Sequence, residues 1–124
     1  MRSPQYAAVF VAGALLLGAC GGGGGASGGD EARGPADLTV TAKEFRFDPA
    51  ELTVEAGKPV VVALHNIGSI PHDLSVKDAG FKLTVANDRT GQKTLTVKSP
   101  GRYEFYCSLP GHKSAGMHGT LTVR

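Results

Sequence analysis

The residues with the most evident chemistry stand near the C-terminus, where Cys107, His112 and Met117 fall at equal intervals in the pattern C-x4-H-x4-M. A fourth donor, His72, stands upstream in the stretch HNIGSIPHDL. One thiolate, two imidazoles and one thioether make the ligand set of a blue-copper electron-transfer site, with the two histidines and the cysteine in a plane and a weak axial methionine. Thiolate and thioether stabilise Cu(I), and imidazole serves both oxidation states. A site that suits neither state fully needs little rearrangement when a single electron arrives.

Each donor has a plainer reading. Cys107 alone would read as an inert buried thiol, and Met117 alone as a filler of core gaps. His72 follows Ile70-Pro71 and reads as a surface-turn histidine. None of these explains why a histidine and a methionine stand at fixed offsets from the cysteine. Zinc accepts one cysteine and two histidines, but a thioether is a poor zinc ligand, which favours one copper ion. His65 and His118 are expected to be structural or solvated, because the set is complete without them.

Donors on a short loop converge only if two strands hold its ends, and the sequence supplies strands. From Asp37 onward the dominant period is two: Leu38, Val40 and Ala42; Leu52 and Val54; Leu95 and Val97; Leu121 and Val123. Val60 to Leu64 is a continuous apolar run, as for a strand covered on both faces. Turn signals separate the runs at Asp48-Pro49, Ala56 to Pro59, Asp88 to Gly91 and Ser99 to Gly101. Ala79 to Asn87 is ambiguous and has room for a turn of helix. Tyr103, Phe105 and Cys107 share one parity, which makes the two aromatics core residues. Pro110-Gly111 gives the ligand loop a tight path, and Gly116 and Gly119 give freedom around the axial ligand.

The N-terminal third has a different character. Arg2 precedes an apolar run from Ala7 to Leu17, the form of a secretory signal over residues 1–19. The run ends in Leu17-Gly18-Ala19-Cys20, which resembles the lipobox of bacterial lipoproteins, with Cys20 as the lipidated residue. Gly21 to Ala36 is Gly-rich and behaves as a flexible linker with a reach of about 20–25 Å. Residues 37–124 form the folded domain, roughly 90 residues, enough for one modest core. Both cysteines, Cys20 and Cys107, thus have separate roles, and no disulfide is expected. The formal net charge of +2 in 124 residues gives no basic tract to follow a phosphate backbone, so nucleic acid is excluded as a partner.

The resemblance becomes specific over Phe47 to Asp73, FDPAELTVEAGKPVVVALHNIGSIPHD, taken with the C-H-M loop. Strand, Ala-Gly turn, apolar strand, Asn and first histidine follow one another as in the cupredoxin superfamily. The chain is similar to blue-copper proteins of the plastocyanin and azurin type, and among them to the auracyanin-like proteins with a similarly long ligand loop. The resemblance implies an all-β, eight-stranded Greek-key sandwich with the copper at one end. It implies that His112 lies near the surface within an apolar patch, with Leu109, Pro110 and Gly111 beside it and Ile67 and Ile70 from the other ligand loop. In many members an Asn after the first histidine ties the two ligand loops together; here that residue is Asp73.

The expected function is therefore single-electron transfer, with no substrate transformed. Copper nitrite reductases and multicopper oxidases resemble fused domains of this type and need further copper ions with additional histidine ligands, which one domain with two spare histidines does not supply. The alternative is a copper-binding or copper-delivery lipoprotein without a redox role. The expected partners are the membrane, through Cys20, and redox proteins of a membrane electron-transport chain. The expected state is an exported, lipid-anchored monomer at the periplasmic or extracellular face.

Overall fold

The computed structural model describes residues 34–124, so the signal, Cys20 and most of the linker lie outside the described residues. The described chain forms two facing sheets. Strands β1 (Leu38–Lys43), β2 (Arg46–Asp48), β4 (Val60–Asn66) and β7 (Arg89–Leu95) make one sheet in the order β2-β1-β4-β7. Strands β3 (Glu51–Val54), β5 (His72–Val76), β6 (Phe81–Val85), β8 (Gly101–Tyr106) and β9 (His118–Val123) make the other, in the order β3-β9-β8-β5-β6. β1 runs parallel to β4 and β3 parallel to β9; the remaining pairs are antiparallel. Among the described residues no helix is long and apolar enough to cross a membrane.

The period-two residues face each other across the sandwich. Val40, Val62, Leu64, Leu74, Val76 and Leu121 have almost no solvent exposure. Phe105 is fully buried, and its ring lies 5.4 Å from that of Phe47, so the two sheets meet through an aromatic pair. Burying side chains of this size stabilises the fold by about 1.5–3 kcal/mol each.

The all-β two-sheet sandwich is as expected, and three details of it differ from the sequence reading. The described residues form nine strands where eight were expected, because Arg46–Asp48 folds straight back on β1 as a three-residue strand. The ambiguous Ala79 to Asn87 segment is mainly strand: a single 3-10 turn covers Lys77–Ala79, and Phe81, Leu83 and Val85 then alternate inward as β6. The turn expected over Asp88 to Gly91 is shorter. Asp88 alone takes the left-handed conformation (φ 57°), and Gly91 sits inside β7 opposite Leu64, where a side chain would strike Val85.

β1 and β4 both run toward the ligand loops. At their starting end the Asp37 N–H donates to the Val61 carbonyl, and the Asp37 carboxylate accepts from the Val61 N–H. The C-terminal Arg124 N–H donates to the Val54 carbonyl at that same end. The first and last residues of the sandwich therefore lie together, a full strand length from the metal ligands.

Candidate metal centre

The site is built at the end of the sandwich where three connections meet. His72 is the first residue of β5, in register with Val85, and shares the core-facing parity of Leu74 and Val76. Asn66, fully buried at the end of β4, fixes the loop that delivers it. Its side-chain amide donates to the Ile70 and Val85 carbonyls at 2.9 and 3.0 Å, and its oxygen accepts from the Gly68 N–H.

Cys107 follows β8 directly. Its N–H donates to the Met117 carbonyl at 3.0 Å, which closes the ligand loop at its base. Inside the loop the His112 N–H donates to the Leu109 carbonyl, and the His112 carbonyl accepts from Ala115 and Met117. This winding requires left-handed backbone at Gly111 (φ 77°) and Gly116 (φ 112°), where glycine carries no steric cost. Gly119 has a different role from the one expected: a side chain there would strike the Phe105 ring and the Ala50 carbonyl, so it is glycine for space.

The loops bring three donors together. His72 Nδ1 and His112 Nδ1 are 3.2 Å apart, Cys107 Sγ lies 3.3 Å from His112 Nδ1, and all three ligand atoms fall within 4.8 Å of one another. Ligand atoms each about 2.0–2.3 Å from a shared ion lie roughly 3–4 Å apart, so the donors fit one metal. Cys107 and Met117 are fully buried in the same core cluster at the two ends of the loop. His65 and His118 are exposed, and Leu109 is half-buried beside the exposed Pro110 and Gly111.

Electrostatics prepare the donors. Burial pushes the His72 imidazole below its ordinary pKa, opposed by the nearby Glu44 carboxylate, so its lone pair is free at neutral pH. Burial raises the Cys107 thiol, which keeps its proton until an ion displaces it. Asp73 ties the two ligand loops as the family's Asn does. Its carboxylate accepts from the Ser108 N–H at 2.8 Å, the Ser108 hydroxyl at 2.6 Å and the Ser75 hydroxyl at 2.9 Å. Its own N–H points at Cys107 Sγ, 3.4 Å away. As a carboxylate it adds a buried negative charge, with Lys82 Nζ at 3.8 Å.

Sequence reasoning missed the third connection, the turn between β1 and β2. Phe45 sets its ring edge-on to His112 with centroids 5.0 Å apart. Glu44 Oε1 accepts from the Ser69 and Ile70 N–H groups at 2.7 and 3.2 Å and lies 3.4 Å from His72 Nε2. Its carboxyl is held below the ordinary value chiefly by its own backbone N–H, with those of Ser69 and Ile70 adding to the effect against desolvation. The only local signal was a break in the period-two pattern at Lys43-Glu44-Phe45.

Residues 8–123 match the model of the Cupredoxin-like domain family, and the chain belongs to that family. It is 30% identical over 118 residues to the copper-resistant cuproprotein CopI of Rubrivivax gelatinosus, covering 77% of this chain and 71% of that protein. It is 35% identical over 94 residues to plastocyanin of Dryopteris crassirhizoma, covering 64% of this chain and 89% of that protein. In structure it is similar to the reduced auracyanin of Roseiflexus castenholzii, with a TM-score of 0.63, 20% identity, and coverage of 70% of this chain and 95% of that one.

Proposed function

We propose that this protein is a blue-copper electron carrier holding one type 1 copper through His72, Cys107, His112 and Met117. The observation that carries the reading is the convergence of two imidazole nitrogens and one thiol within 4.8 Å of one another, with His72 and Cys107 buried. Copper in this ligand set supplies a one-electron couple. The chain's own residues hold the donors nearly fixed: Asp73 locks one ligand loop to the other, and the Cys107–Met117 backbone bond closes the second. His72 and Cys107 have no solvent exposure, whereas His112 is 9% exposed. Electrons therefore pass by the His112 edge. A delivery role is set aside, because handing over a metal ion requires an open ligand face, and two of the three convergent donors are sealed.

Phe45, Ile67 and Ile70, the exposed large apolar residues among those described, all belong to the connections at this end. A small apolar patch excludes water from the transfer path without holding a partner long. The partner is a redox protein of a membrane electron-transport chain. The leader over residues 1–19 directs export, Cys20 carries lipid, residues 20–36 form the tether, and residues 37–124 work as a monomeric carrier. Two acyl chains suffice for stable attachment where one does not.

The test is spectroscopic. One equivalent of Cu(II) should give an intense visible band from thiolate-to-copper charge transfer. Cys107→Ser should lose that band while keeping the circular-dichroism spectrum of a folded sandwich. An equally coloured Cys107→Ser protein would overturn the assignment, since a hydroxyl does not supply the transition.

A further inference from the structure

His72 has two ring nitrogens, and only Nδ1 faces the other donors. Nε2 is buried and makes no hydrogen bond of ordinary geometry. A buried N–H without an acceptor costs about 1–3 kcal/mol. The group set before it is the Glu44 carboxylate, with Oε1 at 3.4 Å. That oxygen does not swing freely, because the Ser69 and Ile70 N–H groups and the Ser69 hydroxyl hold it from the other side.

Gly68 gives an independent sign that the pair is built. Its backbone is not left-handed, so conformation does not demand glycine there. A Cβ at position 68 would lie 2.5 Å from Glu44 Oε1 and 2.9 Å from His72 Nε2. The glycine leaves open the notch through which carboxylate and imidazole meet.

We propose that Glu44 is a positioning residue of the metal centre: its carboxylate receives the Nε2–H of His72, fixes the tautomer that turns Nδ1 toward the metal, and sets a negative charge behind the ligand that favours Cu(II) over Cu(I). The inference rests on the copper reading of the site. Carboxylates behind metal-bound histidines orient the ring and raise its basicity, and their loss costs about 10–100-fold in metal affinity. Glu44 comes from the β1–β2 turn, so a connection carrying none of the four ligands sets the balance between the two oxidation states.

Two measurements test this. The first uses the metal-free protein: nitrogen chemical shifts should show His72 as the Nε2–H tautomer, and a dominant Nδ1–H form would overturn the proposal whatever the metal. The second uses the copper protein. Glu44→Gln keeps the side chain's shape and removes its charge; Gly68→Ala wedges a methyl group into the notch and covers the case in which Glu44→Gln does not fold. Each should weaken Cu(II) binding about 10–100-fold with a smaller effect on Cu(I). The reduction potential should rise by about 59 mV for each tenfold change in that ratio. Glu55→Gln, on a side chain 69% exposed near the opposite end of the sandwich, should leave the potential unchanged. A Glu44→Gln potential equal to wild type would make Glu44 a loop brace only and overturn the proposal. A wild-type protein that takes up no copper and develops no colour would overturn the copper reading itself, and the proposal with it.

Discussion

Cys107 and His72 respond to pH in opposite senses, and both matter to the stability of the metal-free protein. His72 is held below its ordinary 6.5 by burial, so the unfolded chain takes up a proton that the folded one refuses. Stability from this group is complete above 6.5 and is lost as pH falls below it. Cys107 is raised above its ordinary 9.0, so the unfolded chain releases a proton that the folded one keeps. Its contribution is complete below 9.0 and is lost as pH rises past it. The melting temperature of the metal-free protein should therefore be flat between those limits and fall on both sides. Copper makes Cys107 a thiolate already, so the alkaline fall should vanish in the loaded protein. Calorimetry across pH checks this, and a metal-free protein that grows steadily more stable above pH 9 would contradict it.

At the scale of elements, much was legible because the signals are local. Val40 and Ala42, or Leu121 and Val123, announce their strands through neighbours two residues away. The cysteine, histidine and methionine of the ligand loop announce themselves by spacing. What was not legible depends on pairing. Glu44 reaches Ser69 across 25 residues only because β1 lies parallel to β4 with Ala42 opposite Asn66. No short-range pattern records that register. Gly119 was misread for the same reason: its constraint comes from Phe105 on the neighbouring strand and from Ala50, neither near it in sequence. Gly119→Ala should force the Phe105 ring or the Ala50 backbone aside and cost about 1–3 kcal/mol. For a domain of this size that lowers the melting temperature by roughly 4–8 °C per kcal/mol. Thermal melts of the two proteins would show it, and equal melting temperatures would mean that the sandwich opens there at no cost.

On the scale of the whole molecule, the large exposed apolar residues among those described are gathered at one end. Leu109 packs partly against the core, so altering it mixes docking with stability. Ile67 is the cleaner probe, being 48% exposed. Ile67→Glu should leave the copper spectrum and melting temperature unchanged and slow electron exchange with the physiological partner; stopped-flow rates equal to wild type would move the docking face elsewhere. The placement of the chain's ends adds a direction to this. β1 begins, and β9 finishes, at the pole remote from the copper. Under the proposed N-terminal anchoring the point of attachment lies behind the copper tip. The residue 20–36 tether proposed above, with a reach of about 20–25 Å, is then what lets that tip turn back toward a redox protein in the membrane.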